Sequence, residues 1–148
     1  MGQSAEPTER RTRLAWYQAT AIFSVLFALL GFSYNVWRLE QTEQNSNRRE
    51  AAFETLLQLA ELEQLVYAAY YDQNPEEGNP RKGWVKVGLL VDLGQASSER
   101  VYVAAQQLRS TWSANWEAMP RSRNATDAIV EDIDGLRAEI QALLSSLE

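Results

Sequence analysis

Few side chains in this 148-residue chain are suited to catalysis. His and Cys are both absent, which excludes Ser–His and Cys–His nucleophile pairs and all thiolate chemistry. The chain has two lysines, Lys82 and Lys86, but no motif supports a Ser–Lys dyad. Glu61 and Glu63 are two positions apart, so on a helix they point in different directions. We therefore predict that the protein is not an enzyme, and we assign no catalytic residue.

The same composition argues against a bound metal ion or cofactor. Without His and Cys the chain cannot build ordinary zinc sites, iron–sulfur clusters, protein-ligated haem or the Glu-x-x-His motif of di-iron bundles. Asp72, Glu76 and Glu77 form an acidic group, but they lack the ordered Asp/Asn/Gly loop of an EF-hand. We predict neither a metal nor a cofactor, and a core held by packing alone because no disulfide can form.

Residues 74–83, NPEEGNPRKG, contain the pattern N-P-x-x-G twice. Asn, Pro and Gly are turn formers, and a Gly at the end of each copy would supply a left-handed exit. We interpret the doubled turn as a hinge at the outermost tip of the protein, whose acidic first copy and basic second copy clip it to itself. A docking tip for a partner is the alternative, with these candidate residues: Tyr70, Tyr71, Glu76, Glu77, Arg81, Lys82 and Trp84.

An apolar segment near the N-terminus is the strongest membrane signal. From Leu14 to Trp37 there are 24 consecutive residues without a charge, and Arg13 and Arg38 bracket them. At about 1.5 Å per residue this segment reaches about 36 Å, enough to cross a hydrocarbon core of about 30 Å. Aromatic rings sit near both ends, as in a spanning helix. We predict a single transmembrane helix that acts as a signal anchor.

Basic residues crowd closest to the N-terminal end of this segment, at Arg10, Arg11 and Arg13. The positive-inside rule then places the N-terminus in the cytoplasm and the body of the chain outside it. We expect a bacterial inner (plasma) membrane protein with a periplasmic body. The predicted domains are a cytoplasmic tail at 1–13, the transmembrane helix at 14–37, a polar stalk at 38–50 and an extracytoplasmic helical bundle at 51–148.

Small or polar residues follow one another inside the span at spacings of 3, 4, 3 and 4. They form a transmembrane packing stripe made of Ala21, Ser24, Ala28, Gly31 and Asn35. Small residues let helix backbones approach closely in lipid. The stripe therefore predicts a contact with another helix, from a second copy or from a partner.

Apolar periodicity beyond the stalk predicts helices at 51–71, 83–95, 97–119 and 124–147, with the second a short helix of two to three turns. The first helix has a broad apolar face. Its predicted buried residues are Ala52, Leu56, Leu59, Val66 and Tyr70, widened by Phe53, Leu57, Ala60 and Tyr67. In the last helix a 4-3-4 spacing predicts a coiled-coil-like bundle seam of Ile129, Ile133, Leu136, Ile140, Leu143 and Leu147. The predicted fold is all-α: a transmembrane helix, then a small antiparallel bundle of three long helices and one short helix.

Two functions fit this layout. Net charge is −6, which argues against nucleic acid as a partner. We expect the partners to be membrane lipid and other membrane or extracytoplasmic proteins, or the chain itself as a homo-oligomer. The first hypothesis is a non-enzymatic accessory or scaffold subunit of a membrane-associated assembly. The alternative is a ligand-binding or sensing module that signals through a partner, with a pocket between Trp112, Trp116 and the 67–71 segment.

Overall fold

A computed structural model describes the backbone of residues 8–147 and the side chains of residues 15–147. The predicted N-terminal tail, with Arg10, Arg11 and Arg13, lies outside the described side chains. The described residues form four helices and no strand: α1 at Thr8–Tyr70, α2 at Pro80–Ser97, α3 at Glu99–Asn115 and α4 at Arg123–Ser146. The predicted all-α fold is confirmed. The chain divides into two compact units between Glu43 and Gln44, each of which is described by itself.

The first unit contains the apolar part of α1. Every side chain from residue 15 to residue 43 is exposed, including Trp16, Phe27 and Leu30, which are 78%, 70% and 70% exposed. Among the described helices α1 is the one that is long and apolar enough to cross a membrane. A candidate membrane-spanning helix at the predicted position is therefore confirmed.

The second unit is a bundle in which the last part of α1 packs with α2, α3 and α4. Side-chain contacts pair Arg49 with Leu147, Glu63 with Arg137 and Gln73 with Pro120. Helices α1 and α4 are therefore antiparallel. Gly83 lies close to Trp112 and Gly94 lies close to Tyr102, so α2 and α3 are also antiparallel.

Three further contacts complete the order of helices in the bundle. Lys86 of α2 reaches Gln58 and Glu61 of α1, while Gln107 of α3 reaches Asp132 of α4. Short connections between sequential helices favour this antiparallel arrangement. The four segments thus form an up-down-up-down bundle. The predicted antiparallel arrangement is confirmed, but the segment expected to be a short helix is a full member of the bundle, so α4 runs antiparallel to α1.

The second bundle helix is longer than predicted, with 18 residues against two to three turns. It begins at Pro80 because the Asn79 side chain accepts a hydrogen bond from the Arg81 N–H and proline suits the first helical position. The helix continues to Ser97, two residues beyond the predicted end, and Gly94 within it allows the start of α3 to pack closely. Val87 and Val91 of this helix are buried, whereas Val85 is exposed.

The junction between α2 and α3 is a single residue. Ser98 donates its backbone N–H to the Gly94 carbonyl, and its side chain accepts from the Val101 N–H, so it caps both helices. Helix α3 ends at Asn115, four residues before the predicted end at Met119, and irregular turns lead to Ser122. The Ser122 side chain accepts from the Ala125 N–H and caps α4.

The core lies between the four helices and is almost entirely apolar. Ile129, Ile133, Leu136 and Ile140 of the predicted seam are completely buried, whereas Leu143 and Leu147 are half-buried near the chain end. The buried polar side chains are Thr55, Ser97 and Thr126, and each hydroxyl donates to a backbone carbonyl. The proton of each of these buried hydroxyls is therefore used within the core.

One part of the predicted core is wrong. Ala52, Leu59 and Val66 are completely buried and Leu56 and Tyr70 are half-buried. The residues expected to widen this face are exposed instead: Phe53, Leu57, Ala60 and Tyr67. The neighbouring helices cover the face of α1 that holds Ala52, Leu59 and Val66, and they leave the adjacent face exposed.

Candidate interaction surface

The two N-P-x-x-G copies have the same local structure. In the first, the Asn74 side chain accepts from the backbone N–H groups of Glu76 and Glu77, and the Gly78 N–H donates to the Asn74 carbonyl. In the second, Asn79 accepts from the Arg81 N–H, and the Gly83 N–H donates to the Asn79 carbonyl. The first copy makes one isolated helical turn, and the second opens α2. The doubled pattern is therefore a repeated helix-start signal.

The glycines of the two copies serve packing rather than backbone conformation. A Cβ atom on Gly78 would lie 2.5 Å from the backbone of Ala69, and one on Gly83 would lie 2.1 Å from the Trp112 indole. Among the described residues no glycine has a positive φ, so the predicted left-handed exit is wrong. The close approach lets the loop and α2 lie directly on their neighbours.

Gln73 closes the loop end of the bundle. Its φ of 51° is the one positive φ among the described residues, and its side-chain amide donates to the carbonyls of Tyr70 and Pro120 at 2.7 and 3.0 Å. The amide thus satisfies a free carbonyl at the end of α1 and ties this loop to the α3–α4 connection. Both connections at this end are held together by one side chain.

The charged residues of the candidate docking tip are exposed, but they do not pair with one another. Glu76, Glu77, Arg81 and Lys82 all face solvent, and no ion pair joins them among the described side chains. Lys82 instead donates its ammonium to the backbone carbonyl of Glu76 at 3.1 Å. The expected electrostatic clip between the two copies is therefore a single side-chain-to-backbone bond.

The aromatic residues of the tip separate into two groups. The rings of Tyr70 and Tyr71 meet edge to face, with centroids 4.8 Å apart, and Tyr71 is exposed. Trp84 packs edge-on against Trp116, with centroids 6.4 Å apart, and both are half-buried. The docking tip stays a prediction, because nothing in these contacts identifies a partner.

Trp112 is a core residue. Its indole is completely buried against Gly83, and its Nε1–H has no hydrogen-bond partner among the described residues. A fully buried ring offers no accessible face to a ligand. The arrangement favours the core-packing interpretation of Trp112 over an aromatic ligand slot.

The small residues of the predicted packing stripe lie along the apolar part of α1. Nothing lies within 4 Å of a Cβ placed on Gly31, and the Ser24 hydroxyl donates to the Thr20 carbonyl of its own helix. All five residues are exposed among the described side chains. The expected helix–helix contact of Ala21, Ser24, Ala28, Gly31 and Asn35 stays a prediction.

An exposed apolar stripe on the bundle part of α1 is the feature that sequence reasoning missed. It consists of Phe53, Leu57, Ala60, Gln64 and Tyr67, which we call the outer stripe. Their spacings are 4, 3, 4 and 3, and Phe53 and Leu57 are 60% and 54% exposed. The 4-3 spacing is visible in the sequence. The adjacent buried residues have nearly the same periodicity, so the sequence alone assigns both sets to one broad apolar face.

A surface groove of 810 Å³ runs along the first half of this stripe. It is formed by residues 46–57 of α1 together with Leu93 of α2. Phe53, Leu57 and Leu93 supply its apolar wall, while Arg49, Glu50 and Glu54 place both signs of charge along it. The groove is open to solvent, and its shape suits an elongated partner rather than a small enclosed ligand.

The far end of the stripe is fixed by a polar network. Tyr67 donates its hydroxyl to Glu63 at 3.0 Å, Glu63 pairs with Arg137 of α4, and Arg137 also pairs with Asp134. Partial burial raises the pKa of Tyr67 above its ordinary value of 10.0, and the hydrogen bond to Glu63 raises this pKa further. Tyr67 therefore keeps its proton at neutral pH and lies in a defined position.

Among the described residues no cluster of acidic side chains has the geometry of a metal site. Comparison of the chain with protein-family models, with curated proteins and with solved structures found no match. The functional inference therefore depends on the physical features described above.

Proposed function

We propose that this protein is a non-enzymatic scaffold subunit, anchored in a membrane by α1, whose helical bundle contacts other proteins beside the membrane. The observation that carries the proposal is the uncharged segment from Leu14 to Trp37, whose described side chains are all exposed. Burial of an exposed apolar side chain contributes about 1.5–3 kcal/mol, so this surface strongly favours lipid over water.

The charge distribution supports an N-terminus in the cytoplasm and a bundle on the opposite side of a bacterial inner membrane. Three arginines precede the span within four positions, whereas Arg38 alone follows it directly. Residues 38–148 carry eleven basic and eighteen acidic side chains, so the bundle is acidic. Basic residues are retained on the cytoplasmic side during insertion.

The bundle supports assembly more than ligand sensing. A sensing module requires a pocket with polar groups that can bind a ligand, whereas the buried hydroxyls of this core are satisfied by backbone carbonyls. The outer stripe exposes apolar side chains in a row, as surfaces that contact proteins do.

Fractionation of cells that express the full chain tests the anchor. We expect the protein in the membrane pellet after ultracentrifugation, resistant to alkaline carbonate and released by detergent. Phe27→Arg, which places a charge at the centre of the span, should weaken retention, whereas Val103→Arg on the exposed surface of α3 should leave it unchanged. Recovery of the unaltered protein in the aqueous fraction would overturn the proposal.

The orientation and the scaffold role need separate measurements. Because the chain has no Cys, single variants Ser4→Cys and Ser145→Cys can be labelled with a maleimide that does not cross membranes. We expect labelling of Ser145→Cys alone in intact spheroplasts. Gentle detergent extraction followed by pull-down should then recover defined stoichiometric assemblies, whereas a solitary monomer would contradict the scaffold role.

A further inference from the structure

We propose that the outer stripe of α1 is a homodimer interface, through which a second copy of this chain pairs in parallel with the first. The proposal rests on the proposed function in one respect: copies inserted into one membrane with the same orientation leave that membrane with the same chain direction. It names the first partner of the scaffold as the chain itself.

The spacing of the stripe is that of a coiled-coil seam. Residues at alternating intervals of four and three occupy the d and a positions of a heptad, which face the partner helix in a parallel pair. Phe53, Ala60 and Tyr67 take the d positions, and Leu57 and Gln64 take the a positions. About two heptads of α1 can pair in this way within the described bundle.

The composition of the stripe favours self-pairing. In a parallel twofold pair each residue on the axis meets its own copy, so Leu57 meets Leu57 and Gln64 meets Gln64. The Gln64 side chain is exposed and can donate and accept, so two such amides satisfy each other. A single polar residue at an a position fixes register and oligomeric state in coiled coils.

Charges beside the stripe are complementary in this register. In a parallel pair a residue at g approaches the residue five positions later on the other helix. This rule pairs Arg49 of one copy with Glu54 of the other, and symmetry makes the pair twice. Both side chains line the groove at the start of the stripe. The Arg49 guanidinium also donates to the Leu147 carbonyl of its own chain, which holds it at the edge of this surface.

The remaining flanking positions introduce no repulsion between g and e. The next two pairs join Leu56 with Glu61 and Glu63 with Ala68, and neither brings like charges together. Glu50, one turn before Phe53, falls on an a position and meets its own copy. In a parallel pair the Arg49 side chains flank that position and offset the repulsion between the two carboxylates.

Cysteine cross-linking in membranes tests the proposal directly, because the natural chain has no thiol. Leu57→Cys and Gln64→Cys place sulfur atoms on the proposed twofold axis, within reach of a disulfide across it. We expect both to form a species of twice the chain mass on mild oxidation. Val103→Cys is the matched control, since Val103 on α3 is 55% exposed and Leu57 is 54% exposed.

Substitutions that disrupt the outer stripe provide a second test of the dimer interface. With Gln64→Cys as the reporter, Leu57→Asp should lower the cross-linked fraction by about tenfold or more, whereas Val103→Asp should leave it unchanged. Arg49→Glu should lower the fraction, and the double variant Arg49→Glu/Glu54→Arg should restore it. The restoration keeps the test valid even if Leu57→Asp perturbs the bundle.

Three results would overturn the proposal. One is membrane-bound protein that forms no cross-link at either stripe position; another is a cross-link only to a protein of different mass. The third is loss of cross-linking in Gly31→Leu but not in Leu57→Asp, which would place the contact in the span. If the protein were found in the aqueous fraction but Leu57→Cys still formed a cross-linked dimer, the membrane anchor would be refuted and the dimer interface would stand. The two proposals can therefore fail separately.

Discussion

The backbone of Gly83 lies directly against the indole of Trp112. A Cβ atom at position 83 would stand 2.1 Å from Cζ2 and 2.2 Å from Cη2 of the ring, far inside van der Waals contact. This approach brings the first turn of α2 onto α3 and closes the core at the loop end of the bundle. Gly83 is also the last residue of the second N-P-x-x-G copy, so the motif and the core depend on each other.

We predict that Gly83→Ala destabilises the bundle. The added methyl forces the buried indole to move, and overpacking of this kind costs about 1–3 kcal/mol. Gly88→Ala in the same helix is the matched control, because nothing lies within 4 Å of a Cβ at position 88. It should stabilise the protein by about 0.5–1 kcal/mol through the better helix propensity of alanine. Denaturant unfolding of the full chain in mild detergent measures both changes.

The Asn79 cap gives a second prediction. Asn79→Ala removes the acceptor for the Arg81 N–H at the start of α2 and should cost about 1 kcal/mol. Asn79→Ser keeps an acceptor and should cost much less. Equal losses in the two variants, read from the same unfolding curves, would show that the side-chain hydrogen bond does not stabilise the helix start.

The ion pairs of the bundle should differ in their contribution to stability. Arg137→Met leaves Glu63 half-buried without its cationic partner, so we expect a loss of about 1–3 kcal/mol. Arg123→Met removes an exposed pair with Asp127, three-quarters exposed on the arginine side, and should cost less than about 0.5 kcal/mol. A loss for Arg123→Met as large as that for Arg137→Met would contradict this ranking.

Tyr67 makes stability fall at alkaline pH. Partial burial and the Glu63 hydrogen bond raise the pKa of Tyr67 in the folded state, so the folded protein holds this proton to higher pH than the unfolded chain. The stabilisation that protonated Tyr67 gives the folded state is complete below pH 10.0, the ordinary pKa of tyrosine. It is lost as the pH rises through the higher pKa that Tyr67 has in the folded protein. We expect the free energy of unfolding to decline less steeply above pH 10 in Tyr67→Phe than in the natural protein. Identical slopes would refute this assignment.

The sequence was sufficient for the architecture because its signals are local and long. The uncharged span predicts the apolar part of α1, and the spacing of Ile129, Ile133 and Leu136 predicts α4, in each case without knowledge of neighbouring elements. Helix ends were less predictable. Glycine has a low helix propensity, so Gly94 suggests a helix end. In the structure it lies within α2, where the close approach of the Tyr102 backbone leaves little room for a side chain.

The candidate site could not be predicted for a geometrical reason. Leu56 and Leu57 are adjacent and both apolar, and periodicity assigns them to one broad face. Only the positions of α2 and α4 determine that Leu56 packs inward while Leu57 stays exposed. Likewise the two glycines of the doubled turn suit a left-handed conformation, whereas contact with Ala69 and Trp112 is what requires them.

Ser98 is the whole connection between α2 and α3, and this has a mechanical consequence. With one residue capping both helices there is no slack to absorb a shift of either helix along its axis. An inserted residue would rotate one helix by about 100° and turn its buried side chains outward. Reporter peptides or fluorescent domains are better placed between Glu76 and Glu77, which are exposed and lie between α1 and α2, so that Gln73 and Gly78 keep their contacts with the bundle.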